Sequence, residues 1–511
     1  RLERDGHALW VTAERLPQLQ ALHPDARCEP AIDVPGDYRR DWPREEALRE
    51  LARARLAGMG VTTCAAIADV LGVGAGDVGL ALLALEQEGY AMRGRFTPAA
   101  TAPDDAGAEE CEEWCERLLL ARIHRNTLGR LRREIEPVDV RDYVRFLCDW
   151  QRVSPHARVQ GPEALAGVLS QLEGFEAAAG AWESELLPTR VKDYSIAWLD
   201  DLCTAGRIAW SRLRPGGDTL VRSAPIVLLP RRELALWTQL AAGRATEEAP
   251  LSSRAQKVET CLREHGALFF DELASSARLL DAELEDALSE LVARGRAGCD
   301  SFSGLRALLL PAARKPAFGR RGRRTSLMGI ADSGRWSLAR RVDPAKAADP
   351  AAMEHVARVL LRRYGVVCWR LLQREAAWLP PWRELLREYQ RLEARGEIRG
   401  GRFLSGVVGQ QFALPEAVAS LRNVRKRAHD GAFVVVSAFD PLNLVGGILA
   451  GDKLPRQPGA RLLLRDGVPL ATLAGGEFRP LPALAEADLH AARVALLRDP
   501  SARLPADAVD A

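Results

Sequence analysis

The chemistry open to this chain starts from arginines, amides and a few carboxylates, since no serine or cysteine has a histidine at recognisable triad spacing. Arginines recur in pairs: Arg93 and Arg95, Arg207 and Arg212, Arg296 and Arg306, Arg399 and Arg402. Guanidinium groups in such runs suit phosphates, which they hold by charge-assisted forked contacts. His124 stands with Arg117, Arg122 and Arg125, and a histidine among cations reads as a phosphate contact rather than an acid or base. Asp440, in Ser-Ala-Phe-Asp-Pro-Leu-Asn, has two readings. It is either a loop carboxylate that exchanges protons with a substrate or, more simply, a cap on the turn that Pro441 fixes. Gln410 and Gln411, ahead of Leu414-Pro415, read as turn caps. Nine cysteines contain no C-x-x-C, and the pair Cys111 and Cys115 lacks a partner pair at zinc spacing. A reduced, metal-free, cytoplasmic protein is the expectation.

The elements that must position these residues repeat. Leu82, Leu85 and Gly89 recur as Leu199, Leu202 and Gly206, as Leu288, Leu291 and Gly295, and as Tyr389, Leu392 and Gly396. Apolar residues three apart share one helix face, and a glycine four places later suits the left-handed residue that ends a helix. Tyr90 to Phe96, Arg207 to Leu213, Arg296 to Leu310 and Glu397 to Phe403 then read as short hairpins. Helix, glycine stop and hairpin make the back half of a winged helix. The front half is legible in three copies. Helices are predicted at Glu46 to Ala57 and Thr63 to Leu71, with a third starting at Asp77. The same order is predicted at Ala255 to His265, Phe270 to Ser275 and Asp281 to Arg294, and at Met353 to Tyr364, Trp369 to Glu375 and Pro381 to Arg395. A weaker fifth copy is suggested at Val144, Leu147 and Gln151. From Phe433 the texture turns to strand-like runs: Phe433 to Ser437, Leu442 to Leu449, Arg461 to Arg465 and Val468 to Leu473. The last two are joined by Asp466-Gly467, a two-residue hairpin signal. The fold class is therefore mainly α with β wings: tandem winged-helix modules followed by a small C-terminal β-barrel-like domain.

The segments are an opening strand and helix at 1–40, a winged helix at 41–104, a helical or degenerate copy at 108–160, and winged helices at 161–230 and 250–312. A basic linker at 313–333, a winged helix at 334–427, the β domain at 428–498 and a tail at 499–511 complete the chain. It starts with Arg and reads as a piece of something larger, and no apolar run is long enough to span a membrane. Net charge is only +2, against the uniformly basic face of a small DNA-binding domain. Basic residues are local, with Arg314, Lys315, Arg320, Arg321, Arg323 and Arg324 as the densest run. That run is either a solvated linker or an arm that neutralises phosphates. The third helices of the first and third modules are acidic, and the second ends in Asp200 and Asp201; phosphates would be repelled, which disfavours a transcription regulator. Only the fourth, with Trp382, Arg383, Arg387 and Arg391, can face DNA, alongside the wing arginines. Binding should then be salt-dependent and largely sequence-independent. The acidic helices are expected to pack on neighbouring modules.

Four stretches resemble the C-terminal region of the bacterial large helicase-related protein, Lhr: residues 112–138 (EEWCERLLLARIHRNTLGRLRREIEPV), 171–191 (QLEGFEAAAGAWESELLPTRV), 407–418 (VVGQQFALPEAV) and 436–455 (VSAFDPLNLVGGILAGDKLP). The resemblance implies a helicase core that hydrolyses ATP with Mg²⁺ and moves along single-stranded DNA. No Walker A sequence is present, so that core is not in this chain and no cofactor is expected in it. It also implies single-stranded DNA or a displaced strand as ligand, the protein's own helicase core as partner, and a homo-oligomer, with a tetramer as the form in view. The family is similar in turn to AlkZ-type winged-helix DNA glycosylases, with their Gln-apolar-Gln or Gln-apolar-Asp motif. Gln171, Leu172 and Glu173 resemble it, with Glu in the last place. By that resemblance Glu173 would be the base or cation stabiliser, Gln171 would orient water, and Trp182 or Phe175 would stack on a displaced base. The plain alternatives are an exposed helix turn ending at Gly174 and, for the whole chain, a non-catalytic oligomerisation scaffold.

Overall fold

The computed structural model describes residues 1–4, 7–97, 112–133, 136–214, 221–242, 250–309, 330, 333–339 and 350–498. The basic run 314–324 and the tail 499–511 lie outside them. About 51% of the described residues are helical. It divides into two compact units, Arg1–Arg133 and Glu134–Ala511.

In the first unit, strands β1 (Leu2–Arg4), β2 (His7–Leu9) and β3 (Arg27–Cys28) form a small antiparallel sheet in the order β2-β1-β3, with helix α1 (Leu16–Leu22) between β2 and β3. The winged helix follows: α2 (Arg44–Met59), β4 (Thr62–Thr63), α3 (Cys64–Leu71), α4 (Ala75–Gln87), β5 (Ala91–Gly94) and β6 (Glu113–Glu116). Thr63 caps α3 by accepting the Ala66 amide at 3.2 Å. Asp77, predicted as the cap of α4, sits one turn inside it, behind Gly74. Leu16, Leu19, Leu48, Leu51, Leu82 and Leu85 share one core. Helix α5 (Arg117–Arg133) closes the unit, its first amides capped by the Glu116 carboxylate.

The second unit opens with α6 (Val140–Trp150), the predicted fifth copy. No winged helix forms there. Tyr143 Oη bonds the Val366 carbonyl at 2.9 Å and Trp150 Nε1 bonds that of Arg362, so α6 packs on the last module instead. After β7 (Val159–Gln160) come α7 (Pro162–Gln171), β8 (Ala177–Ala178), and a helical stretch built of α8 (Ala179–Ala181), a π turn (Trp182–Leu186) and α9 (Leu187–Arg190). Then follow β9 (Val191–Lys192), α10 (Ile196–Thr204), β10 (Ile208–Ser211), β11 (Pro225–Pro230) and α11 (Leu234–Ala242). The third module is α12 (Ser253–His265), β12 (Leu268–Phe269), α13 (Phe270–Ala277), α14 (Asp281–Ala293), β13 (Ala297–Cys299), α15 (Phe302–Leu309) and β14 (Arg335–Leu338). The fourth is α16 (Pro350–Tyr364), β15 (Val366–Val367), a 3₁₀ turn (Trp369–Arg374), α17 (Trp382–Ala394), β16 (Arg399–Gly401) and β17 (Gln411–Ala413), closed by α18 (Pro415–Lys426).

The four sheets have one design: β4-β6-β5, β8-β11-β10, β12-β14-β13 and β15-β17-β16. The strand before the second helical segment pairs with the last strand of the wing in each. The repeated glycine is the local reason. Gly89, Gly206, Gly295 and Gly396 all have φ between +65° and +78°. In each the amide one residue on reaches back to the apolar residue of the repeat, as Tyr90 to Leu85 at 2.9 Å and Glu397 to Leu392 at 3.0 Å. This is the Schellman cap, in which only glycine escapes the left-handed penalty.

Every wing returns later than its local sequence predicts. Trp336 of β14 faces Cys299 of β13, so residues 334–338 complete the third module and do not begin the fourth. The predicted hairpin at Arg296 to Leu310 contains helix α15 because Phe302, Leu305 and Leu308 line up three apart and are buried. Likewise β6 takes the start of 108–160 into the first wing.

At the C-terminus β18 (Phe433–Ser437), β19 (Arg461–Arg465), β20 (Val468–Ala474) and β21 (Glu477–Pro480) form an antiparallel meander, covered by α19 (Leu489–Leu497). Asp466 and Gly467 both have positive φ, 49° and 78°, as the primed hairpin turn requires. No closed barrel is found, and the predicted strand at Leu442 to Leu449 is a series of turns. Leu442 and Leu444 are apolar because that loop is buried, with Gly446 left-handed at its bend.

Candidate nucleic-acid interface

Helix α17 buries two of its three acids and leaves its arginines in solvent; Glu384 is partly exposed, 3.9 Å from Arg383. Glu388 and Glu393 are buried, at 5% and 3% exposure, while Arg383, Arg387, Gln390 and Arg391 are exposed. Positions 383, 387 and 390 follow the i, i+4, i+7 spacing of one helical face. Gln390 reaches Gln410 beyond the wing at 3.3 Å, and Arg399 and Arg402 stand exposed on or beside β16. Gln411, by contrast, is fully buried and accepts the amides of Phe403 and Leu404, as a turn cap does. In the first unit α5 carries Arg117, Arg122, Arg125, Arg130, Arg132 and Arg133 and no acidic residue. Arg122 and Arg125 are exposed there, as are Arg93 and Arg95 on and after β5. Arg93 is shared with Glu86 and Glu112, at 3.6 and 3.5 Å.

The other wing arginines are committed elsewhere. Arg306 lies in α15, not in a strand, and clamps Glu183 at 2.7 Å and Asp200 of α10 at 2.9 Å. The acidic third helix of the second module is thus bound to the third. Arg207 pairs with Glu163 at 2.6 Å and Arg296 with Glu259 at 3.0 Å.

Gln171 and Glu173 face α16. Gln171 Nε2 donates to the Trp150 carbonyl at 2.9 Å. The Glu173 carboxylate is buried against His355 Nε2 at 2.6 Å, Trp237 Nε1 at 2.9 Å and Arg362 at 3.5 Å. Burial pushes its carboxyl upward, but the hydrogen bonds from His355 and Trp237 and the charges of His355 and Arg362 outweigh it and leave it below the usual range. The bond to Glu173 raises His355 against its own burial. These two are therefore held as an ion pair between the second and fourth modules, and the exposed-turn reading fails with them. Trp182 is fully buried and donates to the Ile226 carbonyl, so it presents no face to a base. Phe175 is buried under Arg363.

Asp440 lies in a buried knot in which both of its carboxylate oxygens are bonded. Arg190 donates to both of its oxygens, at 2.7 and 2.9 Å, and to Gln151 Oε1 at 3.0 Å. Gln151 in turn donates to the Arg363 carbonyl. Asp440 Oδ1 also accepts the Leu442 amide at 2.9 Å, which is the turn-capping role.

One carboxylate the sequence did not single out is placed differently. Glu176, three residues past Glu173, is half-buried and accepts a single hydrogen bond, from Trp378 Nε1 at 2.8 Å. Burial raises its carboxyl, and the Trp378 bond and the charges of Arg214, Arg212 and Arg456 offset this only in part. Arg374, which bonds the Ala438 and Asp440 carbonyls at 3.1 Å, accepts Arg456 on its own carbonyl. Burial, then Arg456, lowers Arg374 to about 10. The arginines come from the second wing, the 3₁₀ turn and the loop before β19. No spacing in the sequence joins these three segments. Among the described residues no cluster of three or more His, Cys, Asp or Glu could hold a metal.

Two family models match, both described as a winged-helix domain of the large helicase-related protein, at residues 138–231 and 346–433. A Mycolicibacterium smegmatis protein named Lhr helicase/probable uracil glycosylase is 30% identical over 444 residues, covering 80% of this chain and 28% of the relative. An Escherichia coli Lhr helicase/uracil glycosylase is 28% identical over 441 residues, covering 76% and 28%. The chain thus spans little more than a quarter of the length of these curated relatives.

Proposed function

We propose that this chain, a C-terminal Lhr region, is the strand-holding part of a DNA repair helicase, and that it removes uracil from the DNA it holds. The observation that carries strand holding is α17, where Glu388 and Glu393 turn inward and Glu384 is partly exposed, while Arg383 and Arg387 remain in solvent beside Arg399 and Arg402. Such a face neutralises phosphates without reading sequence, and single-stranded DNA or a displaced strand fits it. Helix α5, with Arg122 and Arg125, offers a second polyanion contact in the first unit. Base excision is supported by the names of the two relatives. ATP hydrolysis, with Mg²⁺, belongs to a helicase core that partners this region in the cytoplasm. A fluorescent single-stranded oligonucleotide titrated from about 50 to 200 mM salt tests holding. Affinity is expected to fall steeply and linearly in log–log form. Binding indifferent to salt, or none at 50 mM, refutes it.

Helix α4 favours a further role in self-association, the non-catalytic scaffold reading. Its Leu80 and Leu83 are 71% and 39% exposed, near Asp77 and Glu86, with no basic residue on the helix. That surface suits protein and not DNA. Light scattering is expected to return a mass above the monomer, with a tetramer as the form in view, and Leu80→Asp to reduce it. A monomer mass at micromolar concentration refutes assembly.

A further inference from the structure

We propose that Glu176 is the carboxylate that activates water for base excision, and that Arg214 and Arg456 take up the negative charge of the departing base; this rests on the glycosylase reading above. Neighbouring carboxylates of the second unit are each held by a charged group or by more than one donor, although Glu375 Oε2 is buried without a hydrogen bond. Asp440 is held by Arg190, Glu375 by Arg363 and Tyr364, Glu183 by Arg306 and Tyr194, Glu185 by Ser437 and Gly459, and Glu173 by His355 and Trp237. Glu176 alone of this group has just one neutral donor, the Trp378 indole, and no arginine within ion-pair distance among the described residues. Trp378 is in turn fixed edge-on to Trp237, with ring centroids 6.0 Å apart, so Glu176 Oε1 has a fixed direction and the second oxygen is left for water.

Arginines supply the second half of the site. Arg456 is exposed, Arg212 is buried with its Nε on the Arg214 carbonyl at 3.1 Å, and all three lie close enough to act on the Glu176 charge. A carboxylate in such surroundings does not repel the phosphates that flank a flipped nucleotide. Burial also makes it a stronger base than a surface glutamate, nearer to neutral pH.

The step balances. The C1′–N1 bond of deoxyuridine breaks with its electron pair going to N1, and the anion is held by the guanidinium donors. Water oxygen bonds to C1′ as its proton passes to Glu176. The proton then moves to the uracil anion, leaving neutral uracil and an abasic sugar.

The test uses the whole chain and a single-stranded oligonucleotide carrying one uracil, followed by alkali. Glu176→Gln keeps an oxygen for Trp378, so its melting temperature and DNA affinity should match wild type while cleavage falls about 100-fold or more. Wild-type rate should decline on the acid side through a midpoint above the ordinary carboxylate range, and Glu173→Gln should keep that limb. Arg456→Ala should lower cleavage about tenfold with less than a twofold change in affinity. Full cleavage by a folded Glu176→Gln overturns the assignment alone. Wild-type chain that binds the oligonucleotide and never cleaves it overturns the glycosylase reading and the assignment with it.

Discussion

The seam where the second module, the fourth and the loop after β18 meet, and the outer face of the fourth, are built from the same residue types, arginine and carboxylate, and behave oppositely. At the seam Arg190 and Asp440 are 0% and 1% exposed, Arg363 and Glu375 each 1%, and Glu173 meets His355 with 2% of its side chain in solvent. On the outer face Arg383 is 85% exposed, and its nearest carboxylate is 3.9 Å away. Charges taken out of water must find an opposite charge close by, which makes them fixed points of structure. Charges left in water keep their field for a ligand. Function is thus to be sought where an arginine lacks a carboxylate, or a carboxylate lacks an arginine.

The largest effect should come from breaking the knot. Asp440→Ala leaves Arg190 buried and unpaired, and is expected to cost about 3 to 5 kcal/mol in urea unfolding. A loss under about 1 kcal/mol would mean that the seam tolerates free charge and the contrast is false. Next is pH. His355 is raised in the fold, so its contribution is complete below its ordinary 6.5 and lost as pH rises through the folded value. Glu173 is lowered, so its contribution is complete above its ordinary 4.5 and lost as pH falls through its folded value. The pair should therefore stabilise most between about pH 4.5 and 6.5. Wild type minus His355→Phe, followed by thermal melting, should show its greatest difference there. A difference independent of pH would assign the contact to packing alone. The smallest effect on stability should come from Arg383→Ala with Arg387→Ala, within about 0.5 kcal/mol of wild type. The salt slope for single-stranded DNA should nevertheless fall by about 1.4, at about 0.7 per phosphate contact. An unchanged slope would remove α17 from the interface.

How much could be read beforehand depended on distance along the chain. The four glycine stops were legible because a Schellman cap involves six consecutive residues. The basic face of α17 was legible for the same reason, its arginines being spaced by the helix itself. Arg306 was misplaced on a wing because its strand was in fact a helix, and only Glu183 and Asp200, more than a hundred residues away, show its role. Gln171 and Glu173 resembled a motif in spacing, with Glu in the last place, yet α16 covers them. Glu176 carried no signal of its own, since its arginines lie in two separate segments, the second wing and the loop before β19.

The sequence by itself determined the modules: where each third helix ends, where each wing begins, and the Asp466-Gly467 hairpin, all set by backbone conformations that neighbouring residues impose. Tertiary structure alone decided that α6 serves the fourth module, that β14 closes the third, and that Asp440 belongs to Arg190 across 250 residues. Hydrogen-bond and charge partners of buried groups are chosen by proximity in space. A chain with arginine in every module offers many pairings, and folding selects one.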